Sequence, residues 1–146
     1  MSIPQFDQHG DLPVGLHAAT LEEVVERFGQ GTHQRQAVAQ RLLRIHELAR
    51  ATGGIQRFIL FGSFVTAKPT PNDVDIVLVM RDTFNVMACD KETRSLFDHQ
   101  AADREFGASI FWTRPSLLIL ETVDDFVAHW QIKRDQTRRG IVEVSP

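Results

Sequence analysis

The sequence predicts an α+β fold, a small mixed sheet flanked by helices. Two apolar runs, Phe58–Phe61 and Ile76–Met80, read as neighbouring strands. Two stretches ahead of them, Leu21–Gly29 and Gln34–Ala51, carry helical spacing. The remaining strand and helix signals are mixed along the chain and lack the regular alternation of a doubly wound sheet. With 146 residues, 42% of them apolar, the chain is expected to form a single domain over residues 1–146 with a real core.

Residues 1–19 hold Pro4, Gly10, Pro13 and Gly15 and are expected to form an irregular arm over the domain. Thr20 and Glu23 fit a capping box that opens a helix ending near Gly29. In the next helix Val38, Leu42, Ile45 and Leu48 or Ala49 form an apolar stripe, with Arg41, Arg44, Glu47 and Arg50 largely opposite. Gly53 and Gly54 stop it. A strand follows over Gln56–Phe61, then a Gly62-Ser63 turn and a loop through Lys68 stiffened by Pro69 and Pro71. Strand Val74–Met80 leads to a helix expected from about Asp90 to Glu105, stopped by Gly107. Ala108–Thr113 is a third strand, closed off by Pro115. Thr122 caps a helix from Val123 to about Lys133, with Phe126, Val127 and Trp130 facing inward. Gly140–Val144 is expected to be a short edge strand.

The chemistry concentrates at the junction of the first two strands. Asp73 and Asp75 are two apart on an extended segment, so both carboxylates leave one face. Such a pair can hold divalent cations about 3.5–4 Å apart. Gly62 allows a phosphate close to the backbone, and Ser63 offers a hydroxyl at the start of a helical turn, where anions are favoured. Together they describe a site for a metal-bound nucleoside triphosphate. The order of parts argues against a haloacid-dehalogenase-like phosphatase, in which the apolar run precedes the Asp-x-Asp. Here it follows.

Gly62, Ser63, Asp73 and Asp75 match the pattern of the nucleotidyltransferase superfamily typified by DNA polymerase β, which the chain resembles in minimal form. Leu12–Gly15, Leu21–Gly29, Gly62–Lys68 and Ile110–Thr113 extend the likeness to an uncharacterised bacterial group of minimal nucleotidyltransferases. The resemblance implies a polymerase β-like fold and a two-metal magnesium site on Asp73 and Asp75. Gly62, Ser63 and Lys68 would hold the triphosphate, with Ser63 also in the catalytic set. It implies transfer of a nucleoside monophosphate, AMP from ATP or the equivalent from another nucleoside triphosphate, to a hydroxyl acceptor. Minimal members are often antitoxins that adenylylate a partner toxin, so a toxin-like protein acceptor is the expected partner, with RNA a weaker one.

The likeness breaks at one point. The superfamily carries a third carboxylate on the next strand, and here Ser109 occupies its place. A hydroxyl is a poor base near neutral pH and a weak ligand for a hard cation. Loss of a general base of this kind removes about 10²–10⁴ in rate. Three readings follow. Asp103, Glu105 or Glu121 substitutes; the enzyme works slowly with two carboxylates; or catalysis is lost and the chain acts as a binding or antitoxin-like partner.

Composition narrows the remaining classes. A net charge of −3 gives no general attraction to nucleic acid or an anionic membrane. Cys89 is the sole cysteine, so no intramolecular disulfide forms, and a reducing cytoplasm is the expected setting. The first residues lack a basic and an apolar region of a signal peptide, and no apolar run approaches a membrane span. The six histidines lack zinc-ligand spacing. Lys133, Arg134, Arg138 and Arg139 form the densest basic cluster, read as a helix end or as a site for a triphosphate tail or RNA backbone. Phe111 and Trp112, as strand neighbours, must face opposite sides.

Overall fold

The computed structural model describes residues 3–145; Met1, Ser2 and Pro146, the limits of the expected arm and domain, lie outside the described residues. Five strands, β1 (Leu16–Ala19), β2 (Ile55–Phe61), β3 (Val74–Met80), β4 (Ala108–Thr113) and β5 (Ile141–Val144), form one mixed sheet. Their spatial order is β1-β5-β2-β3-β4. The outer pairs, β1 with β5 and β3 with β4, are parallel, and the inner pairs are antiparallel. The fold is therefore α+β, with a five-stranded mixed sheet flanked by helices.

Helices α1 (Leu21–Phe28), α2 (His33–Ala51) and α4 (His99–Phe106) cover one face. Val24, Phe28, Val38, Leu42, Ile45 and Phe106 pack there with the sheet residues Phe58, Leu60, Ile76 and Leu78. Helix α5 (Val123–His129) covers the other face, where Val127 meets Ile59, Val77, Val79 and Ile141. β3 is consequently apolar on both sides, and every residue in it except Asp75 is fully buried. Among the described residues, no helix is long and apolar enough to cross a membrane.

Local signals account for most of these elements. The Thr20–Glu23 capping box forms as expected, with Glu23 N donating to Thr20 Oγ1 at 3.1 Å and Thr20 N to Glu23 Oε1 at 3.0 Å. Gly107 ends α4 in the left-handed conformation at φ 60°, where its amide donates to the Asp103 carbonyl.

Four expectations are corrected. The arm is not irregular throughout, because Leu16–Ala19 pairs in parallel with Ile141–Val144. That pairing puts β5 inside the sheet, between β1 and β2, where an edge strand was expected. The helix expected over 90–105 is broken. A short turn of helix, α3 (Lys91–Arg94), runs into a 3₁₀ turn at Ser95–Phe97, and α4 starts afresh after Asp98. Asp98 is extended and its carboxylate accepts from Ala101 N at 3.0 Å, while Trp112 Nε1 takes the Phe97 carbonyl at 3.1 Å. Those two bonds satisfy groups that a continuous helix would have used. Finally, α5 stops at His129, so the basic residues 133–139 lie in a loop and not at a helix end.

One polar side chain organises the loop between β2 and β3. Arg35 sits in the first turn of α2, only 7% exposed. Its Nη1 donates to the carbonyls of Phe28 (3.0 Å) and Phe64 (2.8 Å), and its Nη2 to those of Thr66 (2.5 Å) and Lys68 (2.6 Å). The planar fork thus joins the end of α1 to the segment after Gly62. Burial lowers its pKa, yet a guanidinium stays charged at any ordinary pH. Arg35→Met leaves these buried acceptors without a donor and is expected to cost about 3 kcal/mol or more in urea denaturation. Arg35→Lys should recover only part of that loss, because an ammonium cannot reach all four carbonyls in one plane.

Candidate functional site

Gly62 closes β2 at φ 79°, a conformation that favours glycine, and is buried against β3. A Cβ built on Gly62 would stand 1.8 Å from Asp75 Oδ2. The two are neighbours by register, since Phe61 pairs with Asp75 across the antiparallel β2–β3 ladder. The space that glycine frees is therefore filled by the Asp75 carboxylate, where an approaching phosphate was expected. Ser63–Val65 is one three-residue 3₁₀ turn. So short a turn brings little helix dipole, which weakens that part of the argument for anion binding. What remains at this corner is the Ser63 hydroxyl.

On the other side of β3, the parallel register makes Ser109 the direct partner of Asp75. Ser109 Oγ donates to Asp73 Oδ2 at 3.1 Å and also helps to stabilise the Asp75 charge. Gly62, Asp73, Asp75 and Ser109 thus meet at one end of three adjacent strands. Burial, reinforced by the neighbouring Asp73 carboxylate, pushes the Asp75 carboxyl up to about 7. Ser109, Arg139 and Arg134 act in the opposite direction. Among the described residues, no ion pair engages either acid.

Asp103 and Glu105 are exposed on α4, and Glu121 lines a separate surface cavity beside Leu120 and Arg138. Among the described residues, no group of three or more His, Cys, Asp or Glu side chains is arranged to hold a metal. None of the three acids named as substitutes therefore completes the pair. The donors available are two carboxylates and a hydroxyl. That set fits one hard divalent cation which keeps water and takes further oxygens from a phosphate ligand. A cation there would also offset the mutual repulsion of Asp73 and Asp75.

The remaining candidates are dispersed. Lys68 has an exposed side chain, and its carbonyl is held by Arg35. The basic cluster divides. Lys133 and Arg139 lie 3.6 Å from Asp11, Arg134 and Arg139 act on Asp75 through space, and Arg138 lines the cavity near Glu121. Of the two aromatic neighbours, Trp112 packs on Phe84 and Phe97, whereas Phe111 faces outward. Cavities of about 460 and 830 Å³ lie elsewhere, along α2, and neither is lined by the residues of this site. Ser63, Asp73, Asp75 and Ser109 are each partly exposed at this end of the sheet.

Arg35 escaped the sequence reading although a signal was present. The stripe Val38, Leu42, Ile45, extended back one step of three, lands on Arg35 and marks it as inward-facing.

The chain belongs to a family of unknown function, DUF6932, which matches over residues 4–145. No curated protein and no solved structure matches it.

The raised pKa of Asp75 has a measurable consequence. Between pH 3.8 and about 7 the folded chain holds a proton that the unfolded chain releases, so this group's contribution to stability falls as pH rises through that window. His46, whose pKa burial lowers, works in the opposite direction over part of it. The readout is therefore the difference between Asp75→Asn and the parent chain. The variant's advantage in denaturation free energy should grow from pH 4 to 7 by on the order of 4 kcal/mol and level off above. A pH-independent difference would show that Asp75 ionises normally.

Proposed function

We propose that this protein is a minimal, magnesium-dependent nucleotidyltransferase with a polymerase β-like fold. It transfers a nucleoside monophosphate, AMP from ATP, to a hydroxyl acceptor and releases pyrophosphate. The observation that carries this reading is the register of three strands. The Gly62-Ser63 corner, the Asp73 and Asp75 carboxylates, and Ser109 in the place of the expected third acid are brought side by side. A mixed sheet with its acids at the head of a doubly buried strand is compatible with that fold.

In this reading Asp73 and Asp75 hold the cation, and Ser63 donates its hydroxyl to a phosphate oxygen. Magnesium, when bound, neutralises the triphosphate and stabilises the charge that builds up during transfer. The acceptor oxygen forms a bond to the α-phosphorus while the bond to the bridging oxygen breaks, and pyrophosphate leaves with that electron pair. Lys68, Arg134 and Arg139 supply positive charge for the departing group. The acceptor's proton passes to water, because Ser109 provides no base, and the rate is correspondingly low. The acceptor we favour is a protein hydroxyl on a toxin-like partner, by the antitoxin likeness, and the setting we favour is the cytoplasm.

A second reading is specifically favoured by Ser109. The chain is then a catalytically impaired member that keeps the fold to bind a triphosphate or cap a partner.

Calorimetry with Mg-ATP, followed by incubation with α-labelled ATP and the product of a neighbouring gene, separates the two. Enzymatic transfer should fall at least about 10²-fold in Asp73→Ala and Asp75→Ala. Binding without transfer, unchanged in both variants, would leave only the second reading. Ser109→Asp, which restores a third carboxylate beside Asp75, should raise the transfer rate by about 10²-fold or more. No change or a loss would show that Ser109 is not in the place of the missing base.

A further inference from the structure

Phe61 and Trp130 pack against the second core cluster, and a further ring, Phe111, extends that aromatic group to the surface. Phe61, Trp130 and Phe111 form a continuous group, with ring centroids 4.7 Å apart for Phe61 and Trp130 and 5.0 Å for Phe111 and Trp130. His99 lies 5.0 Å from Phe111, tilted by 36° to it. The buried members of that cluster are Ile59, Val77, Val79, Val127 and Ile141. Phe111 is not among them and remains 38% exposed on the edge strand β4.

Its placement relative to the site is fixed by strand geometry. Phe111 is two residues beyond Ser109, so the two side chains leave the same face of β4, roughly 6.6 Å apart along the strand. Phe61 pairs with Asp75 and stands next to Gly62. An exposed ring thus begins one residue pair away from the carboxylates, on their own face of the sheet. A ribose between an α-phosphate and a base covers a comparable length.

We propose that Phe111, backed by Trp130 and Phe61, is the stacking platform for the nucleobase of the triphosphate held at Asp73 and Asp75. This rests on the nucleotidyl-transfer reading and assigns the part of the ligand that the phosphate site leaves free. A flat, uncharged π-face beside an acidic cation site with Arg134 and Arg139 nearby suits a planar base joined to a metal-bound triphosphate. Every base offers such a face, so the platform favours nucleosides over bare polyphosphate without selecting strongly among bases.

The test compares Mg-ATP with magnesium inorganic triphosphate, titrated calorimetrically into the full chain, Phe111→Ala and Phe111→Trp. The parent should bind ATP more tightly than inorganic triphosphate. Phe111→Ala should weaken ATP binding about 5- to 150-fold and leave inorganic triphosphate binding unchanged, while Phe111→Trp retains ATP binding. Retained triphosphate binding shows that the alanine variant is folded. Unchanged ATP affinity in Phe111→Ala, or an equal loss for both ligands, overturns the platform and leaves the phosphate site standing. If the parent binds neither ligand, the nucleotide reading and the platform fall together.

Discussion

A carboxylate set into a strand that is otherwise apolar on both faces is the constraint around which this protein is arranged. Asp75 interrupts a run of fully buried residues, and an acid there is costly unless its surroundings are shaped for it. Those surroundings are visible on each side. On β2, a glycine in the left-handed region vacates the volume the carboxylate fills. On β4, a serine stands in register with it, small enough to leave the acid open and polar enough to bond its neighbour Asp73. Even so, burial and Asp73 keep the group poised near neutrality. Among the described residues no ion pair engages either acid, and the function we propose gives that uncompensated charge to an external cation.

Arg35 supplies the rigidity that the acids require. The segment from Ser63 to Lys68 has one 3₁₀ turn and no sheet ladder of its own, so its carbonyls need donors from elsewhere. The guanidinium provides them for Phe64, Thr66 and Lys68 and ties them to the end of α1. Phe64 and Val65 are then held in the core beneath the turn. A second arginine plays a comparable part on the opposite face. Arg57 grips Glu143 through two bonds, at 2.9 and 2.7 Å, and reaches Asp124 at 2.6 Å, joining β2, β5 and α5. Both charges work through several partners, which is how charge is tolerated inside a small domain.

Much of this was legible in the sequence where the signal is local. The Thr20 and Thr122 caps, the stripe through Val38, Leu42 and Ile45, and the strands flanking Gly62 and Asp75 depend on residues a few positions apart. Ser109 was singled out as well, but only through the family pattern that puts a third acid on the next strand; its register with Asp75 depends on how β3 and β4 pair. What stayed hidden depends on distant partners. Leu16–Ala19 has too short an alternation to announce a strand and becomes one only against Ile141–Val144. Asp98 was readable as a helix residue until its carboxylate is seen to cap a new start. The reason for Gly62 was assigned to a ligand, because the side chain that occupies its space comes from across the sheet.

The parallel contact between Leu16–Ala19 and Ile141–Val144 also dictates when the fold can be completed. β5 lies between β1 and β2, so neither neighbour gains its ladder on that side until residue 144 has been synthesised. A chain still emerging from the ribosome can assemble α1, α2 and the β2–β3 hairpin, yet the sheet keeps an open seam along β2. Arrival of β5 closes that seam and also pairs the strand with β1, a segment more than 120 residues away, in one of the most entropically demanding contacts the polymer makes. During biosynthesis the exposed edge of β2 is therefore most open to mispairing before β5 arrives.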